Sequence, residues 1–266
     1  MITSVTVVGA GGAFDTTITN SSFLINTDKG SILYDCGYNV FPKLVEMDEN
    51  SEDEIIGDIN TIIVSHDDDD HMGSVKSLLY YMYFILGKKD VNLYCPDHMV
   101  DMFSSMNKEM KSSRYFDAQI VEPRPIHMIK FEEEERFGAE FRVVRGIHHT
   151  TAYGVIAHDK RGNIVAISGD TKANVYFEEE IKYVANRMNV PNVEMSDILI
   201  FHDYSFWDAP SRQVHACKSD VDVEYSNEFL SQAIMYHNAK ATCAGKTFSI
   251  PLKNKEIEHE RKLYEG

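Results

Sequence analysis

One six-residue segment, 66–71, combines histidine and aspartate in a way that could bind metal ions. Its four potential ligands are His66, Asp68, Asp70 and His71. Imidazole nitrogen together with carboxylate oxygen suits zinc, manganese or iron better than calcium, which prefers all-oxygen coordination. The aspartates at positions 67–70 also repel one another unless a cation neutralises them. A solvated acidic loop is the alternative, but the flanking histidines favour a metal site.

Predicted elements on both sides would position these ligands. Residues 58–65 are β-branched and apolar, as in a buried strand, and residues 72–81 have the pattern of a helix. The ligand segment therefore lies at the carboxyl end of a strand, where α/β proteins commonly build their binding sites. Two ligand sets in one short turn indicate two metal ions.

The spacing of the ligands after a strand resembles the signature of the metallo-β-lactamase superfamily, His-x-His-x-Asp-His. Asp68 stands where that signature has its second histidine, a variant found in some members such as the hydrolase domains of DNA-uptake channels. The resemblance implies two divalent ions. Zinc is preferred, and Asp68 leaves manganese and iron open as alternatives.

The start of the chain agrees with this resemblance. Residues 5–14 and 20–25 resemble the superfamily's first strand, glycine turn and second strand. The alternative is a dinucleotide-binding fingerprint at Gly9 and Gly11, which would require a small residue at Phe14 and a helix directly after it. Phenylalanine is large and the next five residues do not favour a helix, so we reject that alternative.

Further aspartate and histidine positions match the superfamily. Asp35 ends a predicted strand in an Asp-x-Gly pattern. The resemblance implies that it holds the ligand segment 66–71, here called the metal loop, in position without binding a metal itself. His148 and His149 form a pair between two predicted strands. The ribonuclease Z branch places its ligand six residues before the glycine of a Tyr-Gly pair, which selects His148. Asp170 lies in a Gly-Asp-Thr segment, where the family has an aspartate that bridges both ions.

The last third of the chain resembles the branch that contains ribonuclease Z and cyclic-nucleotide phosphodiesterases. Asp203 follows a histidine at the end of a predicted strand, where the branch has His-Glu, and His215 stands in its His-Ser-Thr segment. His237 stands where the branch has its final ligand. The resemblance implies one metal site from His66, Asp68 and His148, another from Asp70, His71 and His237, a bridging Asp170, and Asp70, Asp203 and His215 as catalytic residues.

These roles imply hydrolysis of a phosphodiester. Paired cations would deprotonate a bridging water near neutral pH and polarise a phosphoryl oxygen, so that a metal-bridging hydroxide attacks in line. His215 would protonate the leaving alkoxide, and Asp203 would hold its imidazole in the right tautomer and raise its pKa.

Charge limits the substrate. The chain has 26 basic and 42 acidic residues, a net charge of −16, and no run of Lys or Arg longer than two. Binding a large polyanion relies on several phosphate contacts, so a large nucleic acid is not expected. Residues 74–140 also contain nothing like the basic, glycine-rich arm with which ribonuclease Z enzymes grip transfer RNA.

A small phosphodiester, such as a cyclic nucleotide, is therefore the expected substrate. The chain resembles the phage anti-Pycsar phosphodiesterases, which destroy cyclic-nucleotide alarm signals in bacterial defence. The alternatives are a ribonuclease Z-like nuclease, a lactonase or thioesterase of the same fold, and a metal-binding protein without turnover. Tyr153, Phe206 and Trp207 are candidates for stacking on a base.

Length and composition set the expected architecture. A chain of 266 residues with 43% apolar residues fits one domain over residues 1–266. The resemblance implies an α/β fold, the αββα four-layer sandwich. No apolar run is long enough to span a membrane. A homodimer is expected from the resemblance alone.

Cysteine usage bears on the compartment. The four cysteines, Cys36, Cys95, Cys217 and Cys243, form neither a CxxC pair nor a dense framework. The first residues do not resemble a signal peptide. Free thiols in a reducing cytoplasm are therefore expected.

Overall fold

The computed structural model describes residues 1–112, 121–128, 138–187, 194–205, 214–238 and 241–250. Within these ranges, two β-sheets lie face to face and helices cover their outer faces. This is the four-layer αββα order that the resemblance implied. The same residues contain no helix with the length and apolarity needed to cross a bilayer.

The first sheet has seven strands in the described residues, and its parallel half carries the metal loop. Strands β1, β2, β3 and β12 pair antiparallel, whereas β3, β4, β5 and β6 run parallel. In spatial order the strands are β12 (Thr247–Ser249), β1 (Ile2–Gly9), β2 (Ser22–Thr27), β3 (Gly30–Tyr34), β4 (Ile59–Ile63), β5 (Asn92–Cys95) and β6 (Glu122–Pro125).

The second sheet has five strands in the described residues. Strands β9, β10 and β11 run parallel, and β7 and β8 complete the sheet by antiparallel pairing. In spatial order they are β11 (Ala233–Tyr236), β10 (Ile198–Asp203), β9 (Ile164–Ile167), β8 (Tyr153–His158) and β7 (Glu140–Arg145).

Helices cover the outer face of each sheet. The first sheet is covered by α1 (Val40–Glu49), α2 (Ile55–Asp58), α4 (Val75–Phe84) and α5 (Asp97–Ser112), while the short α3 (Asp69–Met72) lies in the metal loop. The second sheet is covered by α6 (Val175–Arg187), α7 (Lys218–Glu224) and α8 (Asn227–Gln232). Short 3₁₀ turns occur at Ile126–Met128 and Met195–Asp197.

Alternation along the strands divides the apolar side chains into an inner and an outer core. On β3, Ile32 and Tyr34 point into the core between the sheets, and Leu33 points to the helices outside. All three are at most 1% exposed. Truncating a side chain buried in this way to alanine costs about 2–5 kcal/mol. The two-sided burial keeps the strands rigid and their carboxyl ends in register.

The parallel strands of both sheets end at the site. β3 leads into Asp35, and β11 leads into His237. Both residues have a left-handed backbone, with φ of 60° and 69°, which is unusual for residues other than glycine. Such conformations persist only where the surroundings hold them, and they cluster at functional sites. Here each of the two residues turns the backbone sharply at the end of its strand, toward the loops that form the site.

One local expectation needs adjustment. The predicted helix over residues 72–81 is divided, because α3 ends at Met72 and α4 begins at Val75. Gly73 lies in the break, where an added Cβ would come within 3.1 Å of the Tyr38 backbone. Residues 131–138, with four consecutive glutamates, have the pattern of a surface turn between strands, but all except Gly138 lie outside the described residues.

Candidate metal centre

The structure brings all seven predicted ligands into one cluster. They lie at the ends of β4, β9 and β11 and in the β7–β8 loop. Their imidazole and carboxylate atoms form overlapping groups in which every member lies within 4.8 Å of the others. The seven are His66, Asp68, Asp70, His71, His148, Asp170 and His237.

One half of the cluster surrounds Asp68. Its Oδ2 atom lies 3.3 Å from the Nε2 atom of His66 and 3.4 Å from the Nε2 atom of His148. The adjacent imidazole of His66 lowers the pKa of Asp68 well below its ordinary value. The carboxylate is therefore ionised at neutral pH and available to a cation.

The other half surrounds Asp70. Its Oδ2 atom lies 3.3 Å from the Nε2 atom of His71 and 3.7 Å from the Nε2 atom of His237. The side chains of all three are at most 6% exposed. This half is thus more buried than the first, where the Asp68 side chain is 32% exposed.

Asp170 joins the two halves. Its Oδ1 atom lies 3.2 Å from Nε2 of His71, and its Oδ2 atom lies 3.3 Å from Nε2 of His237. The same Oδ2 atom lies 3.9 Å from Nε2 of His66. One carboxylate therefore faces ligands of both halves, as a bridging role requires.

The histidine rings present the same nitrogen to the cluster. The Nδ1–H of His71 donates to Asp35 Oδ2 over 2.8 Å, and the Nδ1–H of His148 donates to the Val214 carbonyl over 3.3 Å. In a neutral ring, such bonds keep the proton on Nδ1 and direct the Nε2 lone pair at the carboxylates, which is the state that a metal ligand needs.

Unpaired buried atoms provide a test of whether metal ions fit. Among the described residues, Nε2 of His66, Nε2 of His71 and Oδ1 of Asp170 are buried without a hydrogen-bond partner. Buried polar atoms are almost always paired, and leaving one unpaired costs about 1–3 kcal/mol. Unpaired nitrogens beside unpaired carboxylate oxygen are donors for divalent ions such as zinc, so the residues fit divalent metal binding.

Electrostatics supports the same interpretation. Burial acts to raise the pKa of Asp170, but the imidazoles of His237 and His71 outweigh it and lower the pKa well below its ordinary value. Burial acts to lower the pKa of His71, but the carboxylates of Asp170 and Asp35 raise it well above its ordinary value. Without cations, His71 therefore holds a proton that a metal ion would displace.

The predicted catalytic pair lies beside the cluster. The Nδ1–H of His215 donates to Asp203 Oδ2 over 2.9 Å, and the same nitrogen lies 3.7 Å from Asp170 Oδ2. Asp203 is fully buried, whereas the His215 side chain is 26% exposed. Burial acts to lower the pKa of His215, but Asp203 raises it to about 9. His215 is thus a protonated group on the open side of the cluster.

The structure distinguishes the two adjacent histidines. His148 has a side chain only 1% exposed and faces His66 across 5.0 Å between ring centroids. His149 has a side chain 53% exposed, and its Nε2 atom lies 3.3 Å from Asp68 Oδ1. The buried His148 is therefore the better ligand candidate, as the Tyr-Gly spacing indicated.

One of the three stacking candidates, Tyr153, lies in the described residues. Tyr153 is partly buried and packs against the core between the sheets. Its carbonyl accepts a 2.6 Å hydrogen bond from the Tyr34 hydroxyl. Phe206 and Trp207 lie outside the described residues.

The sequence did not assign a role to several supporting residues. The Thr171 N–H donates to Asp203 Oδ2 over 2.8 Å, and fully buried His202 bonds Tyr225 through Nε2 over 2.7 Å. The Ser65 and Ser21 hydroxyls contact the rings of two predicted ligand histidines. Ser65, Thr171 and His202 each had a signal, because each is next to a predicted site residue in the sequence, whereas Ser21 and Tyr225 contact the site from distant parts of the chain.

Known proteins resemble this chain in both sequence and fold. The family model described as Anti-Pycsar protein Apyc1 matches residues 3–248. The Anti-Pycsar protein Apyc1 of Bacillus phage BSP38 is 24% identical over 217 residues, which cover 77% of this chain and 78% of that protein.

Two solved structures share the architecture. The metallo-β-lactamase fold protein YhfI from Bacillus subtilis superposes with a TM-score of 0.63 at 16% identity, covering 90% of this chain and 87% of that one. The short form of human tRNase Z superposes with a TM-score of 0.67 at 17% identity, covering 94% and 100%. At these identities the similarity establishes the fold, so the expected metallo-β-lactamase fold is confirmed.

The family match identifies the chain more specifically than the fold does. It extends over residues 3–248 and so includes every predicted ligand position from His66 to His237. The expected resemblance to phage anti-Pycsar proteins is therefore confirmed, and this chain belongs to the Anti-Pycsar protein Apyc1 family.

Proposed function

We propose that this chain is a dinuclear metal-dependent phosphodiesterase that hydrolyses a small phosphodiester, in particular a cyclic mononucleotide. The observation that carries the proposal is the position of Asp170, whose two carboxylate oxygens face ligands of both halves of the cluster. Paired divalent ions in such a site suit phosphoryl transfer, because both the attacking and the leaving oxygen need stabilisation.

Two divalent ions, preferably zinc, would be held by the seven clustered residues. One would take His66, Asp68 and His148, the other would take Asp70, His71 and His237, and Asp170 would be shared. When bound, such ions supply an activated water and polarise the phosphoryl oxygens. Asp70 would contribute to catalysis by holding one of these ions.

His215 supplies the proton for the leaving group. Its Nδ1–H is engaged by Asp203, so the proton available to a substrate is the one on Nε2. As the bond between phosphorus and the ester oxygen breaks, that oxygen takes the Nε2 proton and leaves as an alcohol. Asp203 stabilises the protonated ring and fixes its orientation, and the Thr171 N–H fixes Asp203 in turn.

The charge balance and the family support a small substrate. A cyclic mononucleotide carries one phosphodiester charge, which the proposed ions would offset, whereas a chain of net charge −16 repels a long polyanion. Membership of the Anti-Pycsar family supports a cyclic nucleotide in particular. Resemblance to the same branch extends the proposal to a homodimer of one-domain chains that acts in the cytoplasm.

A ribonuclease Z-like activity on RNA is the second candidate. The observation that favours it is the similarity to human tRNase Z, whose whole length is covered. Lactonase and thioesterase activities have no such support beyond the shared fold. The Asp203–His215 pair fits the protonation of an alkoxide from either phosphodiester substrate, so only substrate turnover separates the two candidates.

The test is a substrate panel with a matched pair of variants. Zinc-loaded and manganese-loaded protein would be incubated with 3′,5′-cyclic mononucleotides, cyclic dinucleotides and a precursor transfer RNA, and the products resolved by chromatography. Asp70→Ala should abolish cleavage, whereas Asp69→Ala should retain it, because the neighbouring Asp69 is exposed and outside the cluster. Cleavage of RNA alone would favour the nuclease, and equal turnover by both variants would contradict the assignment.

A further inference from the structure

Two buried serine hydroxyls each contact a ligand imidazole, one in each half of the metal centre. Ser65 Oγ lies 2.9 Å from Nδ1 of His66, and Ser21 Oγ lies 3.1 Å from Nδ1 of His237. Both serines are at most 2% exposed. These contacts occupy the nitrogen that faces away from the proposed ions.

At Ser65 the direction of the hydrogen bond is determined by a carboxylate. Its hydroxyl has one proton, which it donates to Asp35 Oδ2 over 2.7 Å, and a bond to an ionised acceptor is the strongest one available. Only a lone pair then remains for His66, so Nδ1 must carry the ring proton. This leaves Nε2 of His66 as a lone-pair donor directed at Asp68 and Asp170.

At Ser21 the same conclusion follows from the metal-bound state. A ligand nitrogen must be unprotonated, so an Nε2 bound to metal obliges His237 to carry its proton on Nδ1. Ser21 Oγ can accept that proton because its own hydroxyl donates to the Gly11 carbonyl over 3.0 Å. A buried Nδ1–H without this acceptor would cost about 1–3 kcal/mol.

The His237 ring has little freedom to find another partner. Its backbone N–H is bound to the Ala10 carbonyl over 2.8 Å, and its φ is fixed at 69°. A Cβ added at Gly12 would lie 3.3 Å from Nε2 of His237, so the β1–β2 loop packs closely against the ring. Ser21 is the hydroxyl that this closely packed arrangement presents to Nδ1.

We propose that Ser65 and Ser21 are positioning residues that fix the ring tautomers of His66 and His237 and thereby set the affinity of each half for its ion separately. The other two ligand rings are held differently, His71 by a carboxylate and His148 by a backbone carbonyl. The Ser65 hydroxyl also donates to the Asp35 carboxylate that holds His71, but in Ser65→Ala the backbone N–H of residue 65 still donates to Asp35 Oδ1 over 2.7 Å and keeps that carboxylate in place. Removal of one serine hydroxyl therefore acts mainly on one half and leaves three of the four rings held. This inference rests on the proposed pair of metal ions.

The test measures zinc affinity rather than turnover. Ser65→Ala and Ser21→Ala would each be titrated with zinc against a chromophoric chelator, which resolves the two binding steps. Removing an outer partner of a ligand typically weakens metal binding about 10- to 100-fold, so each variant should lose that factor in one step and keep the other. The double variant should be weakened in both steps.

A control variant and a background that lacks one ligand sharpen the comparison. Ser31→Ala is the matched control, because Ser31 is also buried and hydrogen-bonded, to Asn26 Oδ1 over 2.9 Å, but contacts no imidazole among the described residues. It should bind two ions with wild-type affinity. In a His148→Ala background, which removes a ligand from the Ser65 half, Ser21→Ala should keep its full effect and Ser65→Ala should add little.

A spectroscopic measurement on the wild-type protein covers the case in which a variant does not fold. Nitrogen-15 spectra of the imidazole rings in the zinc-loaded protein should show His66 and His237 as Nδ1–H tautomers with slowly exchanging protons. Rapid exchange at both positions, or serine variants that bind both ions normally, would overturn the inference. Wild-type protein that binds no zinc would instead contradict the proposed metal centre.

Discussion

Replacing Asp203 with asparagine should selectively disable the proton donor. The amide keeps the shape of the side chain and can still accept a hydrogen bond from the Thr171 N–H, but it has no charge with which to stabilise protonated His215. In the folded protein, burial acts to lower the pKa of His215, but Asp203 raises it from 6.5 to about 9. Without that carboxylate, the pKa should return to its ordinary value or below.

The size of the effect follows from the two pKa values. At pH 8, a group with a pKa of about 9 is roughly nine-tenths protonated, whereas one with a pKa of about 6.5 is roughly 3% protonated. If the hydrolysis rate follows the protonated fraction of His215, the rate of Asp203→Asn should be about 30-fold lower than that of the wild type at this pH. Wild-type activity should fall as pH rises through the higher pKa, and the variant should fall already through the lower one. Bound cations would lower the pKa of His215 in the wild type and in the variant alike.

The assay compares two leaving groups. In a cyclic mononucleotide the leaving group is an alkoxide, which leaves poorly, so its hydrolysis depends on the acid. In bis(p-nitrophenyl) phosphate the leaving group is a good one, so Asp203→Asn should hydrolyse this ester at nearly the wild-type rate. Circular dichroism and zinc content would show that the variant is folded and loaded. Equal losses of rate on both substrates would refute the role of His215 as the acid. So would a variant whose activity falls at the same alkaline pH as that of the wild type.

Three further outcomes test the metal centre. His148→Ala should lower the zinc content by one ion per chain, and His149→Ala should leave it unchanged; the reverse result would exchange their assignments. Zinc affinity should fall as pH is lowered, because His71 has a raised pKa and its proton competes with the ion. Calorimetry in buffers of different ionisation enthalpy should detect the proton released on zinc binding. Zinc binding without proton release would contradict this competition. Asp35→Asn should weaken zinc binding about 10- to 100-fold by removing the carboxylate that orients His71, and unchanged affinity would show that the contact is only structural.

Local patterns predicted the part of the site that is contiguous in sequence. The segment from His66 to His71 lies between an apolar strand and a helix, so its position at a strand end followed from periodicity alone. Asp170 and His237 lie far along the chain and could be assigned only by resemblance. Their convergence depends on two sheets packing together, which no local pattern specifies.

The supporting contacts were the least predictable. Ser21 reaches His237 across 216 residues, and nothing in its neighbours distinguishes it from Ser22, whose hydroxyl bonds the Asp35 carbonyl instead. Ser21 lies one residue before β2, so the conformation of the preceding loop, rather than a local sequence pattern, determines which of the two serines faces the metal centre. The break at Gly73 was missed for a similar reason, because it depends on contact with Tyr38 rather than on helix propensity.

The most direct test of the central claim is a metal titration followed by turnover. Metal-free protein would receive increasing zinc while hydrolysis of a 3′,5′-cyclic mononucleotide is recorded at each ratio. The account predicts that activity rises until two ions are bound per chain, because Asp170 faces ligands of both halves. Activity that saturates at one ion per chain, or no hydrolysis at any ratio, would contradict a dinuclear phosphodiesterase.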